Sequence, residues 1–196
     1  ITAVSLTSGE SVSFTYTYEA TAAGATTVST RGIGEDVNSG LGIQSNEAIS
    51  SQITVLNKAS LSASISALPV STFIGNDFTV VLTVTNQAGS SAATGVTPVA
   101  YPAWNVAGAV ALVSGPQPSG GVNLAAGAST SFTYIYNALA ETASFIFTAA
   151  AQGVDINSLE SVSSSAASSA NLQIVSNEPQ LSAAWSAPMP LTVTVG

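Results

Sequence analysis

The chain has 196 residues, a net charge of −8 and only 6% charged side chains, with 2 Lys or Arg against 10 Asp or Glu. So few cations cannot neutralise the phosphates that a nucleic-acid groove contacts, and the absence of His and Cys removes the usual catalytic bases, thiol nucleophiles and soft-metal ligands. The hydrophobic fraction of 46% is too high for a disordered chain, yet no apolar run reaches the roughly 18 residues of a membrane-spanning helix.

The first predicted strand has side chains that alternate between apolar and polar, the period of a half-buried strand. Its apolar positions are Val12, Phe14, Tyr16 and Tyr18. We expect the aromatic rings to fill a core between two sheets, with the tyrosine hydroxyls at its rim. Two more strands are predicted over 25–30 and 52–56, and the Gly-, Asn- and Ser-rich stretch 31–51 between them is interpreted as a long connection.

Residues 59–177 contain the patterns of a complete all-β domain. The predicted strands run from Leu61 to an interruption at Pro69, and then over 78–85, 94–100, 109–113, 129–137, 144–151 and 170–175. Proline cannot donate to a ladder, so the first strand is expected at a sheet edge or at a switch between sheets. The Ser- and Ala-rich stretch 161–170 is predicted to be a loop or an exposed edge. About seven short strands in a domain of this length are typical of an immunoglobulin-like β-sandwich.

An internal repeat organises the chain. Residues 4–20 and 122–138 are identical at 10 of 17 aligned positions, which chance does not produce in a chain of this length. A weaker match continues further on, where 34–39 aligns with 153–158. A period of about 120 residues is the size of one sandwich domain rather than of a solenoid rung.

The repeat divides the chain into three predicted parts. Residues 1–58 are the C-terminal part of one immunoglobulin-like repeat, 59–177 are one complete repeat, and 178–196 are the first strands of the next repeat. In the last part the alternating apolar residues are Leu191, Val193 and Val195.

Three stretches carry a resemblance to a known group of domains. They are the strand and turn 78–86, the following 93–96, and the turn and strand 122–134. Together they resemble the tandem immunoglobulin-like repeats of prokaryotic surface proteins of the CARDB and DUF11 type, and 1–20 repeats part of the pattern. The resemblance implies an extracellular stalk, adhesin, filament coat, sheath or surface-layer component, without shared catalytic residues or cofactors.

One acidic position recurs between the two repeats. Asp36 and Asp155 each begin an Asp-x-Asn-Ser motif, and carboxylate and carbonyl oxygens of this kind can hold a calcium ion. Beside Asp36 stands Glu35, but Val154 takes the place of Glu35 in the second copy. The alternative is an Asx turn, in which the carboxylate accepts hydrogen bonds from nearby N–H groups. We favour the turn and expect no cofactor.

The aromatic residues suggest a second kind of site, because exposed rings can stack on sugars. Trp104, in the predicted loop that begins at Tyr101, is the candidate for contact with a ligand or a neighbouring domain, and Trp185 belongs to the same set. The alternative is a packing role, which the strict alternation favours for Tyr16, Tyr18 and their equivalents in the second copy.

These patterns predict a non-catalytic, extracellular structural protein whose partners are adjacent repeats or identical subunits. In one interpretation the chain is an excerpt of a longer array, and the missing strands of 1–58 lie upstream. In the other, a discrete subunit inserts Leu191, Val193 and Val195 into the open groove of the next molecule, as in donor-strand polymers. A carbohydrate-binding or adhesin module that contacts surface glycans is the remaining alternative. The scattered acidic residues offer no paired carboxylates, so no enzyme is expected.

Overall fold

The computed structural model describes residues 2–178 and 181–184. These residues form 20 strands and no helix, so the chain is all-β as predicted, and nothing in this part of the chain is a helix long and apolar enough to cross a membrane. The chain divides after Lys58 into two compact units. We call residues 1–58 unit 1 and residues 59–196 unit 2.

Unit 1 consists of three nested antiparallel strand pairs. Its strands are β1 Gly24–Thr26, β2 Ser29–Thr30, β3 Ile33–Glu35, β4 Gly42–Gln44, β5 Ala48–Ile49 and β6 Ile53–Val55. β1 pairs with β6, β2 with β5 and β3 with β4. The prediction of a connection over 31–51 is therefore wrong, because β3, β4 and β5 lie within it. Their 2 or 3 residues are too few to show the alternation by which a strand is recognised.

The strand predicted around Val12–Tyr18 is not formed in unit 1. Residues 2–23 contain no assigned strand, and the aromatic side chains expected in a core are exposed. Alternation identifies residues that suit a sheet, but a ladder also needs a neighbour, and none of the six strands of unit 1 pairs with this segment.

Unit 2 contains the remaining described strands. They are β7 Leu61–Leu68, β8 Ser71–Phe73, β9 Asp77–Asn86, β10 Ala93–Pro98, β11 Ala103–Trp104, β12 Val110–Gln117, β13 Val122–Leu124, β14 Ser129–Ala138, β15 Thr142–Phe145, β16 Phe147–Ala149, β17 Ala151–Asp155, β18 Ser161–Ser163, β19 Ala167–Ser168 and β20 Leu172–Val175.

The strands of unit 2 form several sheets, an arrangement compatible with a β-sandwich. Two sheets have four strands, in the orders β12-β14-β9-β7 and β13-β10-β17-β18, and two have three, in the orders β11-β16-β19 and β15-β20-β8. β7 lies at the edge of its sheet and β8, just beyond Pro69, joins a different sheet, so the chain switches sheets at the proline. β18 and β19 place the stretch 161–170 at sheet edges. β8 and β20 pair in parallel.

The core of unit 2 lies along β9 and β14, whose alternating side chains are buried. The facing pairs are Phe132–Leu82, Tyr134–Val80 and Tyr136–Phe78. The ring of Phe147 packs against that of Tyr136, with centroids 4.8 Å apart. Large rings of this kind dominate the apolar area that a core removes from water.

The strand pairs of unit 1 recur in unit 2. The matching pairs, each 119 positions apart, are Ile33–Gln44 with Gln152–Ser163 and Ser29–Ile49 with Thr148–Ser168. The pair β1–β6 corresponds to β15–β20, where Thr26–Ile53 matches Phe145–Leu172 at the same spacing and the register then shifts. The backbone of 24–55 therefore follows the same hairpin pattern as that of 142–174.

Candidate functional site

A buried carboxylate lies at the end of β17. Asp155 is 1% exposed, and both of its oxygens accept hydrogen bonds. Oδ1 accepts from the backbone N–H groups of Asn157, at 2.9 Å, and Ser158, at 2.7 Å, which makes an Asx turn. Oδ2 accepts from the N–H of Ala59, 2.6 Å away, and from the Ser91 hydroxyl. The carboxylate thus joins three parts of unit 2 that are distant in sequence.

These donors stabilise the ionised carboxylate. Hydrogen bonds from the Ser158 N–H, the Ser91 hydroxyl and the Ala59 N–H hold the pKa of Asp155 well below its usual value, although burial acts in the opposite direction. A carboxylate with so low a pKa is a poor general acid or base near neutral pH. Its chemistry is that of a fixed hydrogen-bond acceptor.

Asn86 is the second fully buried polar residue at this place. Its Oδ1 accepts from the Ser60 N–H at 3.1 Å and from the Ser90 hydroxyl at 2.9 Å. Its Nδ2 donates to the carbonyl oxygens of Ser91, at 2.8 Å, and Leu124, at 3.2 Å. The amide thereby uses both of its donor hydrogens and both lone pairs.

We call Asn86, Ser90, Ser91 and Asp155 the polar cluster. Ser91 connects its two halves, because its carbonyl oxygen accepts from Asn86 while its hydroxyl donates to Asp155. The cluster holds the backbone N–H groups with which unit 2 begins, those of Ala59 and Ser60. It therefore closes the first residues of unit 2 onto β9, β13 and β17.

Asp36 forms the same turn in unit 1 without being buried in this way. Its Oδ1 accepts from the N–H groups of Asn38, at 3.1 Å, and Ser39, at 2.8 Å, and from the Ser39 hydroxyl. These hydrogen bonds lower the pKa of Asp36, and those from Ser39 have the largest effect. The favoured Asx turn is formed at both Asp36 and Asp155. Among the described residues no three His, Cys, Asp or Glu side chains gather as metal ligands, and calcium at either aspartate stays the untested alternative.

Both turns end in a residue of left-handed backbone conformation. In unit 1 it is Gly40, with φ of 67°, and in unit 2 it is Leu159, with φ of 57°. A side chain with a Cβ costs about 1–2 kcal/mol in this region. Leu159 recovers little of that cost by burial, since 77% of the residue is exposed.

Replacing Leu159 by Gly is expected to raise the free energy of unfolding of unit 2 by about 1 kcal/mol, because strain relief exceeds the added backbone entropy. Urea titration followed by tryptophan fluorescence measures it, since Trp104 packs against Tyr136 and Phe147 in unit 2. Leu139→Gly is the control: Leu139 is half exposed without a positive φ, so this variant should lose stability. If both variants lose stability, the strain argument is wrong.

Trp104 lies in the short strand β11 rather than in a loop, which corrects the predicted placement. Its ring packs edge-on against Tyr136 and Phe147, with centroids 5.7 and 6.2 Å away. The residue is therefore partly buried at the border of the core, and its contact with a ligand or neighbouring domain stays a prediction. The residues Trp185, Leu191, Val193 and Val195 lie outside the described part of the chain.

A cavity of about 410 Å³ lies beside Tyr134, with Tyr101 and Pro116 among its walls. The Tyr134 hydroxyl is buried and has no hydrogen-bond partner within the described residues, whereas the Tyr136 hydroxyl donates to the carbonyl oxygen of Pro102 at 3.1 Å. Burial, with a smaller contribution from Tyr101, raises the pKa of Tyr134 to about 12. The expectation that tyrosine hydroxyls reach a polar rim is therefore wrong for Tyr134.

Tyr134→Phe is expected to raise the free energy of unfolding of unit 2 by about 1 kcal/mol, because an unpaired buried hydroxyl costs about 1–3 kcal/mol. Tyr136→Phe, two positions along the same strand, should instead lower it by about 1 kcal/mol through loss of a made hydrogen bond. Thermal or urea unfolding of the two variants compares them directly. A loss of stability in Tyr134→Phe would mean that the hydroxyl is paired, for instance with water in the cavity.

Of the polar cluster, only Asp155 was predicted from the sequence, although a signal for Asn86 was readable. Asn86 follows Phe78, Val80, Leu82 and Val84 in the same alternating phase, so its side chain points inward with theirs. The partners of Asn86 and Asp155 could not be anticipated, because Ala59 and Asp155 are 96 residues apart.

The comparisons with known proteins add no relative. No family model matches the chain, and no curated protein is significantly similar to it. In unit 2 the buried polar groups form hydrogen bonds with one another and with the backbone of distant strands.

Proposed function

We propose that the protein is a non-catalytic, extracellular structural protein built from tandem or self-associating immunoglobulin-like β-sandwich repeats. The observation that carries the proposal is the recurrence of the strand pairs of 24–55 at 142–174, at a spacing of 119 residues. A fold unit that occurs twice in one chain, each time with the same Asx turn, is the mark of an array of repeats.

The surface and the core of unit 2 are consistent with this role. With 6% charged residues in the chain, most of the surface that two repeats would bring together is uncharged. The polar cluster holds the first residues of unit 2, Ala59 and Ser60, onto the strands of the same unit by hydrogen bonds. These are properties that stalks, sheaths and filament coats need.

The test is the intact mass and location of the protein as isolated from its source. We expect a protein far heavier than the 19.4 kDa of this chain, recovered in the secreted or surface fraction and containing several copies of the repeat. A compact monomer found inside the cell would contradict the proposal.

Donor-strand exchange is the second candidate, and one observation favours it. In unit 2 the strand β20 pairs with β15 on one side and in parallel with β8 on the other. Its counterpart β6 pairs only with β1 among the described strands. Residues 191–196 align with 70–75, which include β8, so a second copy could supply this strand. A discrete 19.4 kDa subunit that polymerises would support exchange over an array.

A carbohydrate-binding module is the remaining alternative, with surface glycans as its partners. Its test is a glycan array probed with the native chain and with Trp104→Ala. Saturable sugar binding that the variant loses would favour this alternative over a purely structural role.

A further inference from the structure

The cavity of about 410 Å³ beside Tyr134 lies between β10 and β12. Its main walls come from the end of each strand and the residues that follow: Thr97, Pro98, Tyr101, Pro116 and Pro118. The volume falls within the roughly 300–1,000 Å³ of ligand sites in proteins, which are mostly apolar with a few polar groups. No charged side chain is among the described residues that line it, so a ligand for this cavity is uncharged.

A β-bulge in β12 shapes one side of the cavity. Gly115 and Pro116 together lie opposite the single residue Tyr134 of β14. Gly115 has φ of 118°, and a Cβ on it would lie 2.7 Å from the carbonyl oxygen of Thr133, so only glycine fits at this close approach. The bulge places the ring of Pro116 in the cavity wall.

A second bulge, in β10, shapes the other side. Gly95 and Val96 together lie opposite Gly153 of β17, and Gly95 has φ of 61°. The next two residues, Thr97 and Pro98, line the cavity. Bulges redirect side chains and are over-represented next to functional sites. Bulges on both strands that border one cavity indicate a built site rather than a gap in packing.

A buried hydroxyl beside the cavity has no partner. Tyr134 is 0% exposed, and its hydroxyl makes no hydrogen bond within the described residues. Nearly all buried polar groups in proteins are hydrogen-bonded, so an unpaired one calls for an explanation. The ring of Tyr101 lies edge-on to that of Tyr134, with centroids 6.4 Å apart, and Tyr101 itself is 59% exposed. An exposed side chain of this kind changes rotamer rapidly.

We propose that this cavity binds an uncharged, proline-rich segment of a partner protein in the polyproline II conformation. Such segments dock in grooves lined by aromatic rings, and Tyr101 and the wall prolines present flat apolar surfaces. A prolyl residue has no N–H, so the segment brings carbonyl acceptors and few donors. Rotation of Tyr101 lets the Tyr134 hydroxyl donate to one of these carbonyl oxygens. The inference goes beyond the proposed structural role and does not depend on it.

A sugar fits the same walls less well than a proline-rich segment. Each sugar ring carries several hydroxyl groups, which cost free energy when they leave water without new partners. The side chains that line the cavity offer hydroxyls only at Thr97, Ser119 and Tyr134. The balance of many apolar surfaces and few polar groups therefore favours the peptide.

NMR titration of the isotope-labelled full chain with a blocked oligoproline peptide tests the proposal. We expect amide shifts centred on Tyr101, Ser119 and Gly120, and none with a Gly-Ser peptide of equal length. Tyr101→Ala should weaken binding about tenfold, as the loss of an aromatic anchor does. Leu139→Ala is the control, because Leu139 is 51% exposed and does not line the cavity, so its affinity for the peptide should equal that of the native chain.

Two tyrosine variants separate binding from stability. Because the Tyr134 hydroxyl is unpaired in the free chain and paired in the complex, Tyr134→Phe should be more stable than the native chain yet bind the peptide about fivefold more weakly. Tyr136→Phe should lose stability without a change in affinity, since its hydroxyl is already bonded to Pro102. No binding of the peptide, binding that Tyr101→Ala leaves unchanged, or binding of cellohexaose in its place would each overturn the proposal.

Discussion

Asp155→Asn is expected to lower the free energy of unfolding of unit 2 by about 3 kcal/mol, because it removes a buried acceptor from charge-assisted hydrogen bonds. An amide keeps one acceptor oxygen, and its NH₂ group would then face a donor, either the Ala59 N–H or the Asx-turn N–H groups. Urea titration with tryptophan fluorescence measures the change.

Asp36→Asn is the matched control for Asp155→Asn. The Asx turn is the same at both positions, but Asp36 is bonded only to neighbours in sequence and remains accessible to water. We expect a much smaller effect on stability. Effects of equal size would show that the turn alone, rather than the bonds to Ala59 and Ser91, accounts for the role of Asp155.

The contribution of Asp155 should also depend on pH. Its folded-state pKa lies below the unfolded value of about 3.9, so the stabilisation is fully present above that value and is lost as the pH falls below it. The difference in stability between the native chain and Asp155→Asn should therefore be constant from pH 5 to 8 and shrink in more acidic solution. A difference that grows on acidification would contradict the assigned protonation state.

Asn86→Leu is expected to lower the free energy of unfolding by about 3 kcal/mol or more. The change leaves the Ser60 N–H and the carbonyl oxygens of Ser91 and Leu124 without this partner in a buried place, and each unpaired buried group costs about 1–3 kcal/mol. Asn123→Leu is the control, because Asn123 accepts one exposed hydrogen bond, from the Gly95 N–H. Similar losses in the two variants would rule out the special role of Asn86.

The two long strands of unit 2 could be predicted because they alternate over many residues. β9 and β14 each have 10 residues with a buried face, and their pattern is visible without a structure. The same pattern at Val12–Tyr18 predicted a strand that unit 1 does not form, since alternation reports the suitability of one segment and not the presence of its neighbour. The short hairpins within 31–51 could not be predicted, because their pairing follows from backbone geometry and carries little side-chain signal.

In the candidate site, too, hydrogen bonds between sequence neighbours could be predicted and those between distant residues could not. The Asx turns at Asp36 and Asp155 follow from residues 2 and 3 positions away, and the sequence favoured them. The difference between the two aspartates lies in distant partners, Ala59 and Ser91 for Asp155, which only folding brings together. Sequence identity at these two positions therefore conceals different energetic roles.

The parallel pairing of β8 with β20 has a mechanical consequence. β8 lies near the beginning of unit 2 and β20 near its end, and their register runs from Ser71–Gln173 to Phe73–Val175. Because the pair is parallel, the N-terminal end of β8 at Ser71 and the C-terminal end of β20 at Val175 lie at opposite ends of the ladder. Tension that draws Ser71 and Val175 apart therefore acts along these strands in shear, so that their hydrogen bonds resist together instead of opening one after another.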